Sequence, residues 1–115
     1  MFEVRTDSGR GGAVVVRASG EVDMTVSRVF ERALLDAAAQ GGGHGVVVDL
    51  QALRFLDSSG VHALVKGHRA AHDAGGALTV RNASGVVARV LYITGVAETL
   101  GMPEGNGAED VQRGS

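Results

Sequence analysis

The stretch that decides the fold is "GVVVDLQALRFLDSSGVHALV", residues 45–65, where a valine-rich run gives way to one acid, two hydroxyls and a glycine. Val46, Val47, Val48 and Leu50 follow almost without interruption, as in a strand with helices on both faces. "GVVVDLQAL" (45–53) is therefore expected to be the central strand of a sheet. From Ser59 onward Val61, Leu64, Val65, His68 and His72 fall along one side, while His62, Lys66, Arg69 and Asp73 fall along another. That is the spacing of an amphipathic helix, stopped here by Gly75 and Gly76. Between the two, "RFLDSSG" (54–60) reads as a long connection at the carboxyl end of the strand, where α/β sheets tend to hold functional residues.

Upstream, "FEVRT" (2–6) and "AVVVRASG" (13–20) are β-rich runs joined by "DSGRGG", an opening hairpin. In "MTVSRVFERALLDAAAQ" (24–40), Val26, Phe30, Ala33, Leu34 and Ala37 recur at helical spacing before Gly41–Gly43 close the helix. Downstream, "ALTVRN" (77–82) is a strand, and "SGVVARVLYITG" (84–95) is a helix with Ser84 as N-cap, Val87, Val90 and Leu91 inward and Gly95 as the stop. "VAETLGM" (96–102) adds a short helical turn. The expected fold is one α/β domain over residues 1–102, in the order β-β-α-β-α-β-α. Its mixed, mostly parallel sheet is flanked by helices, because strand-helix-strand connections favour parallel neighbours and the hairpin adds an antiparallel edge. Residues 103–115, "PEGNGAEDVQRGS", are expected to form a flexible acidic tail.

Composition narrows the chemistry. With 44% hydrophobic and only 3% aromatic residues, the core must be aliphatic and stacking surfaces for bases are scarce. Net charge is −2 and the basic residues, all arginine except Lys66, are scattered, which argues against a nucleic-acid partner. Cysteine is absent, so no disulfide, thiolate metal site or cysteine nucleophile is available. The charged start "MFEVRTDSGR" and the lack of any 18-residue apolar run point to a cytoplasmic protein without a membrane association.

The catalytic readings fail on spacing. A hydrolase elbow needs G-x-S-x-G, and here the positions around the serines are Leu56, Asp57 and Gly60. His62, His68 and His72 match no zinc-binding pattern, so neither a metal nor a catalytic residue is expected. "QGGGHGVVVD" (40–49) precedes a strand, whereas phosphate-binding glycines follow a strand and open a helix. What stands out is the excess polarity at residues 57–60. One cap, from Asp57 or Ser58, suffices to start a helix and stabilises it by about 1 kcal/mol. Gly60 costs helix propensity and is read as giving a partner close access to the backbone. A serine here suits phosphorylation, because a charge of about −1.5 to −2 faces the positive end of the helix dipole.

"FLDSSGV" after a valine-rich strand, with "ASGEVD" upstream and "AGGALTV" and "VARVLYITGV" downstream, resembles the STAS domain of bacterial anti-anti-sigma factors. The resemblance implies an anti-sigma factor antagonist that is not an enzyme and has no cofactor of its own. Unmodified, such a protein binds an anti-sigma factor that is also a serine kinase and so releases a sigma factor. The kinase uses ATP to phosphorylate Ser58, which abolishes the complex, and a serine phosphatase restores it. Partner contacts map to Gly20, Glu21, Asp23, Asp57, Ser58, Ser59, Gly60, Val61 and His62, with the protein a monomer or weak dimer. His62 departs from the small residue common in sporulation-type relatives; an exposed histidine with no role in the switch is the favoured reading, and a bond from protonated His62 to the phosphate at i+4 is the alternative. Two alternatives stay open: a STAS adaptor in a lipid-transport or stress-sensing complex without a phosphorylation switch, and nucleotide binding by the domain itself.

Overall fold

Strands rich in β-branched residues bury one face by alternation, and that face decides where the helices go. The computed structural model describes residues 1–102, so the tail expected over 103–115 lies outside the described residues. Strand β1 (Phe2–Ser8) passes through a short turn at Arg10–Gly12 into β2 (Val14–Val22). Helix α1 (Ser27–Gly41), β3 (Val46–Leu56), α2 (Ser58–Asp73), β4 (Leu78–Arg81) and α3 (Gly85–Ile93) follow. The sheet order is β1-β2-β3-β4, antiparallel for the first pair and parallel for the other two, as expected for this α/β class.

Val14, Val16 and Ala18 of β2, Val46, Val48 and Leu50 of β3, and Leu78 and Val80 of β4 are buried at alternate positions. The helices contribute Phe30, Leu34 and Ala37 from α1 and Val61, Ala63, Leu64 and Ala71 from α2. Helix α1 packs on β2 and on α2, α2 also touches β4 and β3, and α3 packs on β3. The buried stripe of α2 includes Gly60 and Gly67. A Cβ on Gly67 would lie 3.0 Å from both Leu34 Cβ and Leu78 Cδ1, so the missing side chain is what lets α2 sit so close. Phe2 is set edge-on to the buried Phe30, with centroids 5.9 Å apart.

Several expectations need correcting. β3 does not end at Leu53; it runs to Leu56, and the seven-residue connection expected over 54–60 shrinks to Asp57 alone. Its valine run is not fully covered on both faces, since Val47 and Asp49 are only half-buried. Beyond Leu50 the buried positions become Leu53 and Leu56, every third residue, because the pairing with β2 shifts register between Arg17 and Ser19 and again between Gly20 and Glu21. Helix α1 starts at Ser27, with Met24–Val26 forming a turn before it. His72 is exposed and not part of the inner stripe. Ser84 occupies the N-cap position of α3, but its side chain makes no cap hydrogen bond.

Candidate functional site

The site lies where β2 and β3, adjacent and parallel, reach their carboxyl ends with Val22 opposite Leu56. Each strand is followed at once by an aspartate, and the Asp57 N–H donates to the Val22 carbonyl at 3.1 Å, tying the two ends together. Asp57 is the N-cap of α2: its Oδ1 accepts from Ser59 N at 2.9 Å, from Ser59 Oγ at 2.5 Å and from Gly60 N at 3.3 Å. Its carbonyl accepts from Gly60 N and Val61 N at 3.0 and 3.1 Å. The excess polarity therefore divides cleanly. Asp57 caps, the Ser59 hydroxyl is locked onto Asp57, and the Ser58 hydroxyl is exposed and has no hydrogen-bond partner among the described residues. Replacing Asp57 with alanine should lower stability by about 1–2 kcal/mol, a fall of roughly 5 °C in Tm, while Ser58→Ala stays near wild type in thermal melts. A larger loss at Ser58 than at Asp57 would reverse this assignment.

Asp23 repeats the arrangement one strand over. Its Oδ1 accepts from Thr25 N at 2.9 Å and from Thr25 Oγ1 at 2.5 Å, and its carbonyl accepts from Val26 N and Ser27 N at 3.2 and 2.9 Å. Sequence reading picked out Asp23 but missed Thr25, although "DMT" and "DSS" share an acid followed two residues later by a hydroxyl. The Thr25 hydroxyl, helped by its backbone N–H, holds the Asp23 carboxyl below the usual aspartate range. A lowered carboxyl pKa adds stability above the unfolded-state value that is lost as pH falls through the folded-state one. Thr25→Val should return the Asp23 titration, followed by NMR, toward the ordinary range. An unchanged titration would remove the hydroxyl as the cause.

The other expected contact residues are placed less uniformly. Glu21 is engaged by Arg54 Nη2 at 2.8 Å and by the Met1 ammonium at 3.0 Å. The ammonium is the first cause of a carboxyl pKa below the usual glutamate range. Gly20 serves the sheet: at φ +90°, its Cβ would fall 1.7 Å from the Met1 carbonyl oxygen, so only glycine lets β1 pass. Gly60 does not offer the open access read from sequence. It is buried, and a Cβ there would lie 3.0 Å from Leu56 Cβ and from Val22 Cγ1. Val61 is also buried, whereas His62 is exposed one helical turn beyond Ser58. Two exposed apolar side chains at this end escaped the sequence reading: Met24, 76% exposed between Asp23 and Thr25, and Phe55, 41% exposed and opposite Glu21 in the register. Among the described residues, no three His, Asp or Glu side chains converge as metal ligands, and no helix is long and apolar enough to cross a membrane.

A rigid pair of capped strand ends, one hydroxyl presented to solvent and flanking apolar side chains suit recognition by another protein more than turnover of a small molecule. Known proteins agree with the fold. The family model described as the STAS domain matches residues 6–111. Over 85 residues the chain is 28% identical to the anti-sigma F factor antagonist of Paenibacillus polymyxa, a match covering 74% of this chain and 73% of that one. It is similar to the structure of an anti-sigma factor antagonist from Mycobacterium paratuberculosis, with a TM-score of 0.74 and 25% identity over 90% of this chain and 86% of the other. The fold also matches that of the anti-sigma factor antagonist SpoIIAA in its unphosphorylated form, with a TM-score of 0.73 and 24% identity over 98% of each chain. With the family model spanning nearly the whole sequence, the chain belongs to the STAS domain family.

Proposed function

We propose that this chain is a cytoplasmic anti-sigma factor antagonist: with Ser58 unmodified it binds an anti-sigma factor that is also a serine kinase, releasing a sigma factor, and phosphorylation of Ser58 ends the complex. A serine phosphatase resets the switch. The class of function is supported by the relatives named above. The observation that carries the switch is the division of labour at the start of α2, where Asp57 caps, Ser59 is occupied and Ser58 is an exposed hydroxyl without a partner among the described residues. A kinase can reach that oxygen without breaking any bond of the fold.

The same geometry supports a reading in which the added charge acts on the partner and spares the domain. The N–H groups of Ser59 and Gly60 are already held by Asp57, so a phosphate on Ser58 finds the helix dipole but neither of those donors. It must stand outward, beside the Asp57 carboxylate, in the space a docked protein would fill. Asp23, Asp57, Met24, Phe55 and His62 complete the contact surface in this reading. Incubation with ATP and the anti-sigma factor encoded in the same genome, followed by mass spectrometry, tests it. Modification at Ser58 and its loss in Ser58→Ala are expected. Modification at Ser59 instead, or none at all, would overturn the switch and favour an adaptor role.

A further inference from the structure

The exposed faces of α1 and α2 leave a groove lined by Arg28, Glu31, Arg32, Leu35 and Lys66. Three cations there stand against one acid, on a chain whose formal net charge is −2. The acid is already engaged, with Lys66 Nζ 3.5 Å from Glu31 Oε2. Among the described residues Arg28 and Arg32 have no acidic partner. They stand four residues apart on α1, so two like charges face each other along one side of the helix, an arrangement that weakens it. Carboxylates lying in the groove would remove that repulsion and meet two guanidinium forks, the geometry that carboxylates bind best.

The groove is continuous with the site. Ser58, His62 and Lys66 follow at i, i+4 and i+8, all exposed, which at 1.5 Å per residue puts Lys66 about 12 Å along α2 from Ser58. An ordinary interface of about 800 Å² per partner is some 30 Å across, so a protein seated on Ser58 covers the groove as well.

We propose that the α1–α2 groove receives an acidic segment of the anti-sigma factor, an inference that rests on reading the chain as an antagonist. Arg28 and Arg32 would then set affinity and partner choice while Ser58 sets on and off. Calorimetric titration of wild type with the anti-sigma factor from the same genome, at low and at physiological salt, reads the antagonist function. The same titration of Arg28→Glu/Arg32→Glu reads the groove, with Arg81→Glu/Arg89→Glu as a control of equal net charge. The groove variant should bind about tenfold or more weakly than the control and lose most of its salt dependence. If it binds as the control does, the groove proposal is overturned and the antagonist reading stands. If wild type does not bind, the antagonist reading falls and the groove proposal falls with it.

Discussion

Ser58→Asp, or phosphorylation of Ser58, is expected to weaken binding to the anti-sigma factor a hundredfold or more while leaving Tm within a few degrees of wild type. The binding term comes from forcing an extra charge of about −1 to −2 into an interface that already contains Asp57, where an unpaired desolvated charge costs several kcal/mol and each 1.4 kcal/mol is tenfold. The small stability term comes from two opposing effects at an exposed position. The helix dipole favours the new charge and the Asp57 carboxylate opposes it. Calorimetric binding and a thermal melt on one sample decide the matter. Unchanged affinity would remove Ser58 as the switch, and a fall in Tm of more than about ten degrees would mean that the hydroxyl supports the fold.

Phe30→Ala should have the largest effect on folding, a loss of about 3–5 kcal/mol and roughly 15 °C or more in Tm. Phe30 is fully buried on α1, and among the described residues it is the one aromatic side chain in the buried core, with Phe2 and Tyr92 packed against that core from its margin. The edge-on contact with Phe2 is lost with it, so the hairpin strand loses one of its ties to the helices. The neighbouring Val29 is exposed, and Val29→Ala should leave Tm almost unchanged in the same melt. Comparable losses at both positions would mean that α1 presents a different face to the sheet.

The sequence carried the order of elements and the sheet topology because the period of its apolar residues changes where the structure changes, from the valines of β3 to the spaced Val61 and Leu64 of α2. It hid the second half of β3 because two register shifts against β2 replace alternation with Leu50, Leu53 and Leu56, a spacing that looks like neither strand nor loop. It misjudged His72 because the buried stripe of α2 is centred on Gly60, Leu64, Gly67 and Ala71, small residues for the most part, and His72 lies to one side of it. At the site, Asp57 was legible as a cap, but which serine stays free depends on where the hydroxyls point. Gly60 was misread for a related reason: a glycine can admit a partner from outside or a neighbour from within, and only the positions of Val22 and Leu56 decide between them.

The matching bonds of Asp23 and Asp57 have one more consequence. At both strand ends an aspartate holds the residue two positions on and leaves the middle residue, Met24 or Ser58, exposed. Which end is chemically addressable is settled by a single side chain, a thioether at Met24 and a hydroxyl at Ser58. On the proposed reading the fold supplies two similar turns, and the residue in the middle of each decides which can be phosphorylated and which can only make contact.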